Sequence, residues 1–137
     1  LAINQISEDL NFSYPNFRAL KKWLSSVIEI EKFKLGDIVI VFTHDEFVRE
    51  INFKFLKHDY YTDVITFDYT EGSILNGDII ISIERVKENA EEFGTSFYKE
   101  LDRVIVHGVL HLTGYNDSDS KEAGIMRERE NFHLGNR

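Results

Sequence analysis

The sequence predicts an α+β fold: one domain with a small mixed β-sheet of about four strands packed with about five helices. Three observations predict it. Short β-branched runs stand at 37–42, 63–69 and 78–82, helical apolar periodicity lies between and after them, and 137 residues suit one core. Hydrophobic residues make up 42% of the chain and aromatics 13%, a globular composition and not a disordered one. No repeat, low-complexity tract or Pro/Gly/Ser linker divides it, so 1–137 reads as a single domain.

The elements follow in order. Ala2 to Ile6 reads as an edge strand. Pro15 suits a first helical turn, and Phe17, Leu20, Leu24, Val27 and Ile28 recur at helical spacing, predicting a helix over about 15–31 that ends before a turn at Gly36. Asp37 to Phe42 is nearly continuous in apolar character, as in a strand covered on both faces. Thr43 or Asp45 is the expected cap of a second helix carrying Phe47, Val48, Ile51, Phe55 and Leu56. Asp63 to Tyr69 is the next strand, and Gly77 starts another over Asp78 to Ser82. Ser82 or Ile83 opens a helix that runs through Phe93 and stops at Gly94. Thr95 or Ser96 caps a long helix to about Thr113, closed by Gly114, and Ser118 to Ser120 caps a last one through about Phe132.

The absence of Cys removes disulfides, thiolate nucleophiles and Cys-type zinc sites, and leaves His, Asp and Glu as possible metal ligands. It also points to an intracellular setting, and we expect a cytoplasmic protein. No apolar run approaches the roughly 18–20 residues of a membrane span, and the N-terminus lacks the pattern of a signal peptide. A formal charge of −8 argues against broad adhesion to nucleic acid, so any RNA role requires a local basic groove.

In the helix from Ser96 to Thr113, Leu101, Val104, Ile105, Gly108 and Leu112 form the core stripe. His107 and His111 lie on an adjoining flank, about 40° apart around the axis and about 6 Å along it, close enough for two imidazoles to meet one cation. That spacing is half of a zinc site. Gly114 can end the helix in a left-handed turn, and Asp117 follows on a chain free to fold back as a third ligand. Asp117 also sits in the string Asp117, Ser118, Asp119, Ser120, any member of which can cap the last helix, so Asp119 or His133 stands as the alternative ligand. Three protein ligands leave a fourth position for a water whose pKa falls to about 7. Metzincin proteases share this spacing, but their first His is followed by a Glu base, and here Gly108 follows, as a packing choice that lets the helix approach a neighbour or the sheet.

The run HGVLHLTGYND, His107 to Asp117, resembles the signature H-G-x-L-H-L-x-G-Y-D-H of the YbeY family of single-strand endoribonucleases, or ribosomal RNA maturation factors. Asn52, Asp59 and TDVITF (Thr62 to Phe67) resemble that family's L-N-x-x-Y-R-x-K-D-x-P-T-D-V-L-S-F segment, and GDIIIS (Gly77 to Ser82) its G-D-I-x-I-S strand. The resemblance implies an α+β fold with a metzincin-like helix and one Zn2+ on the residues matching His107, His111 and Asp117. It further implies hydrolytic processing of small-subunit ribosomal RNA, ribosome quality control, and ribosomal particles as partners. The chain departs from the signature at Asn116, in place of Asp, and at Asp117, in place of the third His; the latter keeps a ligand but adds a negative charge, lowering the Lewis acidity of the cation. Leu56 stands where the family has its groove Arg, and Tyr61 where it has Pro. The nearby Lys54, Lys57 and His58 are then the candidate substrate groove, although cations at a helix C-terminus also serve simply to offset its dipole.

Asp63 and Asp78 border strands and either orient a ligand His or cap turns. Glu84, Glu88, Glu91 and Glu92 are expected on a solvated helix face, and no function is expected of His44. Two rival functions remain at this stage: a ribosome-assembly binding protein whose metal is structural, and a metallopeptidase, which Gly108 disfavours.

Overall fold

Residues that alternate between two apolar faces put the longest strand at the centre. In β2 (Lys34–Thr43), Ile38, Ile40 and Phe42 face the main core, while Val41 faces a smaller cluster on the opposite side, with Val39 packed at its margin. The computed structural model describes residues 1–137. The remaining elements are β1 (Ile3–Ser7), α1 (Phe17–Ile30), α2 (Asp45–Leu56), β3 (Val64–Asp68), β4 (Ile74–Ser82), α3 (Ile83–Phe93), α4 (Phe97–Leu112) and α5 (Ser120–Gly135). The sheet order is β1-β2-β4-β3, parallel except that β3 runs antiparallel to β4. Four strands and five helices match the expected α+β domain.

Several boundaries differ from the sequence reading, each for a local reason. Gly36 is not a turn between helix and strand. It lies inside β2, at a shift of register between Leu35 and Ile38, where a Cβ would meet Asn76 Oδ1 at 2.2 Å. Beyond that irregularity Lys34 and Leu35 pair with Ile74 and Leu75, so both strands are longer than their β-branched cores. His44, and neither Thr43 nor Asp45, caps α2, its Nδ1 accepting from the amide of Phe47 at 3.4 Å. Pro15 precedes α1 instead of joining its first turn, and Asn16 is the N-cap. The Ser82, Ser96 and Gly94 signals fall where they were read: both serines accept a hydrogen bond from the third amide beyond them, and Gly94 ends α3 at φ 67°. Glu84, Glu88, Glu91 and Glu92 are all exposed.

α1 and α4 cover one face of the sheet with the main apolar cluster, and α2 covers the other over Val41, Val48, Ile65 and Ile80. α4 is the most deeply set helix, burying the whole predicted stripe. It reaches the sheet closely because Gly108 has no side chain: a Cβ there would lie 2.7 Å from Ile79 Cγ2. Gly77 on β4 opens the matching space for Leu112, whose methyls stand 2.7 and 2.8 Å from where its Cβ would be. This docking turns the flank carrying His107 and His111 toward a cleft between α2 with the loop after it, β3, α4 and the segment before α5. No helix is long and apolar enough to cross a membrane.

Candidate metal centre

At the end of α4 the Thr113 and Gly114 amides fold back onto carbonyls of the last turn, and Gly114, at φ 107°, redirects the chain. The amide of Tyr115 bonds the carbonyl of Leu110 at 3.1 Å, and the segment beyond carries Asp117 back over the helix flank. His107, His111 and Asp117 thereby each offer a ligand atom, all within 4.8 Å of one another, and can hold a metal ion. Asp117 Oδ2 is 3.3 Å from His107 Nε2, and Asp117 Oδ1 is 3.6 Å from His111 Nε2. Ligand atoms 2.0–2.1 Å from a tetrahedral ion stand about 3.4 Å apart, so these spacings fit such an ion.

Both imidazoles are fixed through their other nitrogen. His107 Nδ1 donates to Glu130 Oε2 at 2.7 Å, and His111 Nδ1 donates to the Tyr115 carbonyl at 3.0 Å. Each ring thus directs the lone pair of Nε2 at the common point, the arrangement that orients a histidine for a metal. The rings stand 4.6 Å apart at 83°. Burial opposes the charge of His107, but the hydrogen bond and charge of Glu130, with Asp117 and Asp63 beside it, raise its pKa above the ordinary value. Burial and the neighbouring His107 lower that of His111.

Glu130 is the residue that sequence reasoning missed. Met126, Glu130 and His133 are the buried residues of α5 and recur at i, i+4, i+7, so the signal was an acid on an inward stripe. Burial pushes its carboxyl up, yet the His107 bond and charge and the Arg103 bond hold it below the usual carboxylate value. Asp63 and Asp78 do not orient either histidine. Asp63 accepts from Asn89 at 3.1 Å and lines the cleft, its carboxyl pushed up by burial; Asp78 lies beside Tyr69.

The other candidates are distributed as follows. Asp119 caps α5, accepting from the Glu122 amide at 2.8 Å, and does not join the triad. His133 is 1% exposed and its Nε2 bonds Glu31 at 2.6 Å, away from the triad. Tyr115 donates to the same Glu31 at 2.8 Å, so this buried carboxylate ties the ligand-bearing loop to α1 and α5. The cleft over the triad has a volume of about 360 Å3, and Asn52 and Leu56 of α2, with His58 and Tyr60 of the loop that follows, together form its α2 wall. Lys54 and Lys57 are not on that wall; Lys57 Nζ reaches back to the Lys54 carbonyl. Asn52 fixes the loop by donating to the Tyr60 carbonyl at 3.1 Å, and Tyr61 packs under the guanidinium groups of Arg49 and Arg85.

Fold and site define a class: a single α+β domain whose long helix presents two histidines and a returning carboxylate that together can hold one metal ion. The sequence model described as Endoribonuclease YbeY matches residues 3–136. The chain belongs to the YbeY family. Among its relatives, an Endoribonuclease YbeY of Parabacteroides distasonis is 46% identical over 134 residues, covering 98% of this chain and 94% of that protein. One from Flavobacterium johnsoniae is 45% identical over 131 residues, covering 92% and 94%. A solution structure of a Thermotoga maritima protein superposes with a TM-score of 0.64 at 27% identity, covering 97% of this chain and 85% of that one.

Proposed function

We propose that this chain is a zinc-dependent, single-strand-specific endoribonuclease acting in the cytoplasm on small-subunit ribosomal RNA, in its maturation and in ribosome quality control, with ribosomal particles as partners. The observation that carries the reading is the convergence of His107 Nε2, His111 Nε2 and an Asp117 carboxylate in a cleft, with both Nδ1 atoms already committed. The relatives' name, Endoribonuclease YbeY, supports RNA as the substrate. Two imidazoles and one carboxylate suit zinc, which when bound would supply Lewis acidity toward a phosphodiester oxygen and acidify a coordinated water. Glu130 and the Tyr115 carbonyl keep the two imidazoles in register for it. Leu56, His58 and Tyr60 form the wall against which an unpaired strand lies. Metal content per chain, and cleavage of single-stranded against structured RNA with and without chelator, test the reading. We expect about one zinc per chain and chelator-sensitive cutting of single strands. Cleavage that survives complete metal removal, or no cleavage by a fully metallated sample, overturns it.

The replacement of the groove Arg by Leu56 favours a second reading, a ribosome-assembly module with a structural metal. It predicts cosedimentation with ribosomal particles that persists in His107→Ala, with no RNA cleavage to lose. A peptidase is disfavoured by position 108, where a side chain would point at Ile79 in the core and not at the ligands.

A further inference from the structure

The α2 wall of the cleft holds no Lys or Arg, although a phosphodiester brings negative charge beside the Asp117 carboxylate. Cations gather on the other side. A second lobe of about 310 Å3 shares His107 and Asp117 with the first and opens between α3, α4 and α5, where Arg103 and Arg127 line it. Those two arginines continue into a third cavity of about 520 Å3, whose wall adds Lys99 and Arg137. In a chain of net charge −8, four cations thus line one continuous track that begins at the metal ligands.

Two of them are already committed. Arg103 bonds Glu130 at 3.0 Å and Asn131 at 3.1 Å, and Arg137 bonds Asp102 at 3.2 Å. Arg127 is different: its side chain is 58% exposed, its one ion pair is the long contact of 3.9 Å from Nε to Glu130, and Glu100 is the other acid that feels its charge. The acids facing the same track are Asp63, Glu100, Asp102, Asp117 and Glu130. Glu130 is held by His107 and Arg103, Asp102 by Tyr14 and Arg137, Asp63 accepts from Asn89, Asp117 faces the two histidines, and Glu100 lies 4.0 Å from Arg103 Nε. A guanidinium on a helix surface, free to present a two-pronged donor edge, is the group that recognises a phosphate bidentately.

Building on the endoribonuclease reading above, we propose that Arg127 is a phosphate-binding residue of the substrate site. The RNA backbone then leaves the metal ligands between α3 and α5, toward Lys99, and not along the Lys54 and Lys57 side of α2. The phosphate contact that the wall with Leu56 does not offer is then supplied from α5.

The test uses the full-length, metal-loaded protein and a short fluorescein-labelled single-stranded RNA with phosphorothioate linkages to slow cleavage, with binding followed by anisotropy across salt. Arg127→Ala is expected to weaken binding about tenfold and to lower the slope of log Kd against log salt by about 0.7, the share of one phosphate contact on a single strand. Arg127→Lys is expected to restore the slope and only part of the affinity, because it returns the charge without the fork. The double variant Lys54→Ala/Lys57→Ala is expected to match the parent. Unchanged melting of Arg127→Ala establishes that it is folded. A folded Arg127→Ala with parental affinity and slope overturns the proposal, as does a loss carried by the α2 double variant instead. A parent that binds and cleaves RNA while Arg127→Ala is unaltered leaves the endoribonuclease reading standing, whereas a parent that binds no RNA overturns both.

Discussion

Glu130 of α5 accepts a hydrogen bond from His107 Nδ1 of α4 at 2.7 Å, and the same carboxylate takes Arg103 at 3.0 Å. One imidazole of the triad is therefore oriented by a helix that begins only after the loop carrying Asp117 has ended. Glu130→Gln preserves shape but removes the charge that favours this tautomer and the basicity of Nε2. Metal affinity is expected to fall about 10–100-fold, read by competition with a chromophoric chelator. An unchanged affinity would reduce Glu130 to a packing role.

The closeness of α4 to the sheet sets the height at which both imidazoles enter the cleft. Gly108→Ala puts a Cβ 2.7 Å from Ile79 Cγ2, a side chain that is fully buried and has no room to withdraw. A loss of about 1–3 kcal/mol in denaturant unfolding of the metal-free protein is expected.

Much of this was legible beforehand because it is local. Gly94, Ser82 and Ser96 mark helix ends through bonds within one turn, and His107 and His111 lie on one helix, so spacing alone fixes their relation. The Asp117 return was legible too, since Gly114 must release the chain for it to occur. Glu130 and Glu31 were not legible, because each meets its partner across a tertiary contact and no spacing encodes a bond from α5 to α4 or from α1 to Tyr115. Gly36 misled for a related reason. A glycine in a strand and a glycine in a turn look alike until Asn76 of the neighbouring strand is known to approach it.

Glu31 predicts a pH dependence of stability. Burial raises its carboxyl, but bonds from Arg129, His133 and Tyr115 outweigh that and lower its pKa below the ordinary 4.5. A folded value below the unfolded one contributes stability that is present above about pH 4.5 and is lost as pH falls through the folded value. Glu31→Gln is therefore expected to be less stable at neutral pH by about 1.5–3 kcal/mol, and to lose less on acidification below pH 4.5 than the parent. Urea unfolding across that range checks both. Equal slopes for the two proteins would mean that Glu31 does not carry the acid sensitivity.

Asp117 and Asp119 stand two residues apart, and the structure gives them separable consequences. Asp119 accepts from the Glu122 amide as the N-cap of α5, so Asp119→Ala should cost about 0.5–2 kcal/mol of stability and leave metal affinity within about twofold. Asp117 faces the two Nε2 atoms and its side chain is 44% exposed, so Asp117→Ala should leave the metal-free protein within about 0.5 kcal/mol of the parent. Its metal affinity should nevertheless fall more than about 100-fold, because a ligand lost outright exceeds the effect of an altered supporting bond. The two measurements, chelator competition and denaturant unfolding, must move in opposite variants. If Asp119→Ala instead abolished metal binding while Asp117→Ala retained it, the loop after Gly114 would have to present its carboxylates two residues out of step with this structure.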